Sequence, residues 1–462
     1  MSRAAIEKEI PYARFLFVVV GIGAVFPYAA LTQPVDYWST TFPDYDVEFI
    51  VAAEYTWVNL VAIVGIMMWA AIQPDYDARM FGGFLGQFFA LFIIPTSTFI
   101  NLSETVSLII ILVATAIAAI VTSAIDSCLF SFASRYPDRY KFQEAVMIGW
   151  ALGELIGSMY RVLTKWAADD DPEQIIVASI VYFYMGSLTV LFCVYAYYTI
   201  TNMKVTAELS SKEGQQQQRG DDDTADDALS PLRGDNNNSD EDNVFHHQAP
   251  SELDLLLRGP MPDPDESSAV LWESVSLDIM YPNTKASGAR DEKRRRAAFD
   301  KVWWNELVIG VHYFTTFSMF PGVFSVIPAY QFTSLNDSGW WTQFILLDSS
   351  IFNVISRFFT HWRFGITSQN IHVFVFGRSI IFIPLILFCA SGIITSDVLT
   401  LLIISAFATT HGWLATLNVI VTNEIVTDAG EKAIVGTITY LVIAIGCFIA
   451  ATVAWGLDWM LG

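Results

Sequence analysis

The stretch Val106-Ser107-Leu108-Ile109-Ile110-Ile111-Leu112-Val113 continues without a charge through Ala114–Ile125, meets Asp126 and ends at Phe130. About 20 apolar residues suffice to carry a helix across the hydrocarbon core of a bilayer, so this run reads as a membrane span. Ten more runs of the same kind flank it. They are Arg14–Val35, Val51–Ile72, Met80–Ile100, Phe142–Trp166, Ile175–Ile200, Trp303–Tyr330, Thr342–Thr360, Ile371–Ala390, Val398–Thr422 and Ala433–Trp459. The expected architecture is all-α and integral to a membrane. Eleven helices divide six and five about a long polar insert.

Composition agrees. Hydrophobic residues make up 53% of the 462 and charged ones only 16%, too few to coat soluble domains of that size. Mean hydropathy is +0.44. The net charge is nevertheless −22, so acid is concentrated outside the spans, and nucleic acid is excluded as a partner by phosphate repulsion. Cys128, Cys193, Cys389 and Cys447 all lie in apolar runs, without CxxC spacing or clustered histidines. They read as packing residues, not as a disulfide or zinc framework. No G-x-x-x-x-G-K-[ST] loop or nucleophile constellation occurs, so the chain reads as neither a nucleotide hydrolase nor any other enzyme, and it calls for no cofactor.

Loop charges orient the chain. Arg79, then Arg135, Arg139 and Lys141, then Arg363, then Lys432 fall in alternate loops. The other loops carry Asp36, Asp44, Asp46 and Glu48, then Glu104, Asp169–Asp171 and Asp337, with Lys165 as the one basic exception. Basic loops stay cytosolic, which puts the N-terminus in the cytosol and, after eleven spans, the C-terminus outside. Residues 1–202 then form a six-helix half and residues 301–462 a five-helix half. Between them, 203–300 holds Gln215–Gln218, Asp221–Asp223 and Asn236–Asn238. It reads as a disordered acidic cytosolic tether, closed by Lys293–Arg296 as a polybasic stop at the anionic leaflet. The sequons at Asn101 and Asn336 fall in short outward loops, close enough to the bilayer to favour non-use.

Ionisable residues inside spans are costly and therefore informative. Glu306, Arg161, Arg378 and Asp348 sit near helix ends, where snorkelling explains them. Glu54 is a further one, while Asp126, Glu154 and Arg357 lie deeper. Gly21-Ile22-Gly23 with Pro27 in the first span, and Pro321 with Pro328 in the seventh, fall at corresponding places in the two halves. Helices broken at matching positions point to a midplane site in a carrier, although simple kinking explains them too. Gly149, Gly153 and Gly157 repeat every four residues, marking a face for close helix crossing.

The motifs, taken in order, resemble the equilibrative nucleoside transporter family. They are Gly21-Ile22-Gly23 with Pro27-Tyr28, Ser127–Ser134 with Pro137, Gly149 with Ser158 and Arg161, and Thr316 with Met319-Phe320-Pro321. Phe352-Asn353 with Ser356-Arg357, Arg378 with Phe382–Pro384, and His411-Gly412-Trp413-Leu414-Ala415 complete the series. The resemblance implies a major-facilitator-like bundle with alternating access, carrying nucleosides or nucleobases. Tyr28 stands where the family often has an aromatic site residue, and Arg357 matches its eighth-helix arginine. With them Trp150, Ser350, Asn353 and Trp57 are the candidate substrate contacts.

Three departures stand out. Asn353 replaces an Asp, Trp150 replaces an amide that contacts the base, and Glu154 replaces a small residue. Arg357 then needs another counter-charge, and Asp126 and Glu154 are the candidates. The reading favours Asp126 as its partner and Glu154 as the group that takes up a proton with substrate. A carrier of organic cations on the same scaffold is the alternative, since Glu154, Trp150 and Tyr28 also suit a cation. A non-transporting membrane receptor or scaffold is the remaining one. The plasma membrane is the expected location.

Overall fold

The computed structural model describes residues 3–69, 76–97, 99, 103–168, 172–207 and 284–461. Outside them lie the sequon at Asn101, the acids Asp169–Asp171 and most of the acidic insert. Two compact units divide the chain: Met1–Leu209 with Arg294–Gly462, and Ser210–Lys293. The apolar helices belong to the first.

Every regular element among the described residues is helical. In order these are α1 (Arg3–Thr32), α2 (Val35–Thr41), α3 (Val47–Trp69), α4 (Tyr76–Ser97), α5 (Glu104–Ser134), α6 (Phe142–Ala167) and α7 (Pro172–Thr201). The second set is α8 (Thr284–Phe317), α9 (Gly322–Val326), α10 (Ser334–Asp337), α11 (Trp340–Arg357), α12 (Ile371–Ala390), α13 (Asp397–Asn423) and α14 (Ala429–Leu461). Ten helices among the described residues are long and apolar enough to cross a membrane. The 18-residue α11, which carries Asp348 and Arg357, is not among them.

The glycine face of α6 finds its partner in the glycine pair of α1. A Cβ on Gly149 would lie 2.2 Å from the Val18 carbonyl oxygen and 2.8 Å from the Gly21 Cα. Only a bare backbone permits that approach. With α6 held so closely, α1 runs unbroken through Pro27. The seventh helix behaves differently: α8 stops at Phe317, and the chain turns through Pro321 into the short α9. The expected pair of matching breaks is therefore a break in one half only. Packing along α1 makes up for the single backbone bond that Pro27 removes.

Helices from before the insert meet those after it along two seams, one of α6 with α11 and one of α3 and α5 with α14. At one, α6 lies against α11, with Ser158 and Ser350 hydroxyls 3.0 Å apart. At the other, α3 meets α14, where Asn59 donates to the Tyr440 hydroxyl at 2.8 Å and accepts from it at 3.2 Å. Ion pairs gather at the bundle's ends. Where α5 ends and α14 begins, Lys432 Nζ reaches Asp138 Oδ1 at 2.5 Å and Ser134 donates to the Lys432 carbonyl at 2.8 Å. At the opposite end Gln33 donates to the Glu154 carbonyl at 3.2 Å, and Gln343 donates to the Gln33 carbonyl at 3.4 Å.

Candidate functional site

Between the seams lies a cavity of about 90 Å³, room for a few waters. It is lined by α1, α3, α5, α6, α8 and α14, so both halves contribute. The lining pairs recur at helical spacing, four residues apart on one face: Tyr55 with Asn59, Thr122 with Asp126, Tyr313 with Phe317, Tyr440 with Ala444.

Its walls are aromatic. Tyr28 packs against Tyr55 at 5.2 Å and Phe317 at 5.9 Å between ring centroids. Trp150 meets Phe130 edge-on at 5.0 Å and Tyr440 at 6.4 Å. Most polar groups in the wall are already engaged. Tyr55 donates to Thr122 at 2.8 Å, Gln87 donates to the same hydroxyl at 2.8 Å, and Asn59 is taken up by Tyr440. Three are not: Asp126 Oδ1, Trp150 Nε1 and the Tyr313 hydroxyl are buried without a hydrogen-bond partner among the described residues, with Trp150 and Tyr440 as the polar neighbours of Asp126. An acceptor on α5 and donors on α6 and α8, grouped in an aromatic box, suit a flat heterocycle carrying both kinds of group.

The other expected residues form a second cluster, on the α6–α11 seam. Glu154 Oε2 accepts from Asn353 Nδ2 at 2.8 Å, and Ser350 Oγ lies 3.5 Å from Oε1. Asn353 Oδ1 accepts from Arg357 Nε at 3.1 Å, and Arg357 Nη1 donates to Thr416 at 3.3 Å. The favoured pairing is thus reversed: Glu154, not Asp126, is linked to Arg357, and Asp126 is the carboxylate in the cavity. Helical rotation is the reason, since Asp126 faces α3 and α14 while Glu154 faces α11. Trp57 is half-exposed beside Phe448, at 6.2 Å, outside the cavity wall.

Tyr55, Asn59, Tyr313, Phe317 and Tyr440 line the cavity although no charge or motif marks them in the sequence. The four-residue spacing in otherwise apolar helices is the signal that finds them. His312 and His411 form a further unforeseen pair: their rings stack at 5.0 Å, with His312 Nε2 3.0 Å from His411 Nδ1. Arg161 does not snorkel. It is fully buried and binds Asp36 of α2, with Lys165 Nζ 3.0 Å from the other Asp36 oxygen.

Comparison with known proteins places this geometry. The model of the family described as "Nucleoside transporter" matches residues 111–459. The chain belongs to the nucleoside transporter family. Among curated relatives, it is 26% identical over 200 residues to Equilibrative nucleotide transporter 1 of Arabidopsis thaliana, covering 42% of this chain and 44% of that protein. It is 23% identical over 348 residues to Nucleoside transporter 2 of Leishmania donovani, covering 70% and 66%. Against Equilibrative nucleoside transporter 4 of Danio rerio the identity is 22%, over 71% and 62%. The chain thus spans less than half of the first plant relative. Among solved structures it is similar to the major facilitator superfamily proton:xylose symporter XylE, with TM-score 0.58 and 10% identity over 98% of this chain and 89% of that one. That likeness is one of fold: this member of the nucleoside transporter family has a major-facilitator-like bundle.

Proposed function

We propose that the protein moves nucleosides, and nucleobases by the same contacts, across a membrane by exposing the central cavity alternately to each side. The observation that carries this reading is the group of Asp126 Oδ1, Trp150 Nε1 and the Tyr313 hydroxyl, none with a hydrogen-bond partner among the described residues, inside an aromatic cavity lined by helices from both sides of the insert. A base stacks on Tyr28 or Trp150 while its edge satisfies both groups, and the seams close on either side in turn.

The topology that goes with this reading has eleven spans, α11 included, since 18 residues of helix reach about 27 Å, close to the hydrocarbon thickness. The N-terminus is cytosolic and the C-terminus outside, and the cytosolic tether is the part of 203–300 that precedes α8, since residues 284–300 belong to that helix. The plasma membrane is the proposed location. A proton accompanies the substrate: an ionised carboxylate without a cation in a dry cavity is costly, and Asp126 is the group that carries it. The same open carboxylate in an aromatic box favours a second reading, in which the cargo is an organic cation held by charge and cation–π attraction.

One experiment separates these. Labelled nucleosides are offered to a transport-deficient cell expressing the protein, at two external pH values, with unlabelled nucleosides and monoamines as competitors. Saturable uptake displaced by nucleosides and stimulated by acid is the expected result. Displacement by monoamines alone selects the cation carrier, and absence of any uptake by surface-expressed protein overturns transport.

A further inference from the structure

Arg357 is fully interior, yet its hydrogen bonds go to Asn353 and Thr416, and none among the described residues goes to a carboxylate. The carboxylate that acts on it is Glu154 of α6, which the Asn353 amide joins to it. We propose that Glu154 is the counter-charge of Arg357, delivered through the Asn353 amide, and that this relay latches the two halves at the α6–α11 seam. The proposal rests on the transport reading for its consequence but not for its test.

The amide fits the task in one orientation only. Its N–H group faces the carboxylate at 2.8 Å and its oxygen faces the guanidinium at 3.1 Å. Flipped, it would set oxygen against oxygen and N–H against N–H. Both bonds are charge-assisted, and each polarises the amide in the direction that strengthens the other. Neighbouring backbone holds the amide in place: a Cβ on Gly412 of α13 would lie 2.3 Å from the Asn353 carbonyl oxygen and 2.7 Å from Oδ1. A carboxylate at position 353 would contact Arg357 directly but would stand 2.8 Å from Glu154, and two carboxylates that close cannot both stay ionised. One negative charge is therefore needed at this spot, and it sits across the seam from the positive one. Ser158 and Ser350, at 3.0 Å, extend the latch by one turn. When this seam opens, Glu154 must leave Asn353. Positioning, not substrate contact, is the role assigned to Glu154.

Three variants test it: Glu154→Gln, Asn353→Asp and the two combined. Glu154→Gln deletes the charge, and Asn353→Asp apposes two carboxylates. Each lowers nucleoside uptake into proteoliposomes by about tenfold or more, and lowers the melting temperature of the purified protein. The combined variant moves the charge to position 353 and restores uptake to within about threefold of wild type, a non-additivity expected only of groups in one network. Melting of the combined variant likewise exceeds that of either single one. Cys447, which lines the cavity while Cys128, Cys193 and Cys389 are buried, reports the latch. A membrane-impermeant maleimide labels it faster in each single variant and at the wild-type rate in the combined one. A combined variant whose fall in melting temperature equals the sum of the two single falls overturns the relay, and labelling that does not change overturns the latch. Should wild-type protein take up no nucleoside, the transport reading falls, while melting and labelling still decide the relay.

Discussion

Replacing Asp36 by Asn exposes how α2 is fixed to α6. The Asp36 carboxylate is shared: one oxygen binds Arg161 and the other takes Lys165 Nζ at 3.0 Å. The side chain of Arg161 is 0% exposed, that of Lys165 5% and that of Asp36 16%. In the variant the amide oxygen still accepts from Arg161, but its N–H group faces the Lys165 ammonium, donor against donor. Two cations one turn apart on α6 are then left without their anion. Breaking a buried pair in this way costs about 3–5 kcal/mol. For a chain of this size, at about 2 °C per kcal/mol, the melting temperature in detergent should fall by roughly 6–10 °C at pH 7. The pH dependence has a definite sign. Burial pushes the Asp36 carboxyl up, but the Arg161 guanidinium and Lys165 ammonium outweigh it and hold the group below the usual carboxylate range. Its contribution is therefore complete above the unfolded value of about 3.9 and lost as pH falls through the lower folded value. The gap between wild type and variant should close only on acidification below about pH 4. A melting temperature within about 1 °C of wild type at pH 7, or a gap that stays constant into acid, would refute the argument.

Further outcomes follow from the cavity and the helix crossing. Trp150→Ala and Tyr28→Ala should each weaken apparent nucleoside affinity by about tenfold to a hundredfold, the equivalent of about 1–3 kcal/mol of stacking, read as the shift in a competition curve at equal surface expression. Asp126→Asn should leave uptake measurable but remove its dependence on external pH; a slope equal to wild type would place the proton elsewhere. Gly149→Val should prise α1 from α6, because even a Cβ would stand 2.2 Å from the Val18 carbonyl oxygen. Overpacking of that kind costs about 1–3 kcal/mol or more, seen as loss of monodisperse protein. Gly65→Val, where a Cβ meets nothing within 4 Å, should be tolerated as its control.

Most of the fold was legible because a bilayer demands it. Each span must satisfy its own backbone and present apolar side chains, so runs such as Val106–Phe130 announce themselves. Close crossings were half legible. The repeat Gly149, Gly153, Gly157 marks a face for packing, but only the structure shows that Gly21 of α1 fills it. Depth along a helix was legible too, and it misled. Asp126 and Glu154 both lie deep in their spans, so depth cannot choose between them as partners for Arg357. Rotation about the helix axis makes the choice, and the polar neighbours four residues away carry that information. Thr122 stands with Asp126 on the face turned to α3 and α14, and Ser158 stands with Glu154 on the face turned to α11. Which face meets which helix depends on packing between segments far apart in the chain, and no local pattern encodes it.

The same limit explains why two departures from the family pattern looked unrelated. Asn at 353 removes a charge from α11, and Glu at 154 adds one to α6. The two residues are 199 positions apart, and each read alone suggests a change of substrate. Brought to 2.8 Å they amount to one change, with the negative charge moved across the seam and the amide left behind to pass it on. On that reasoning the central cavity keeps its own polar groups, Asp126, Trp150 and Tyr313, for the cargo. Selectivity should then respond to position 126 or 150, and the opening and closing of the bundle to 154 or 353. An exchange of charge between 154 and 353 that altered which nucleoside is preferred, without altering how fast Cys447 is labelled, would contradict this division.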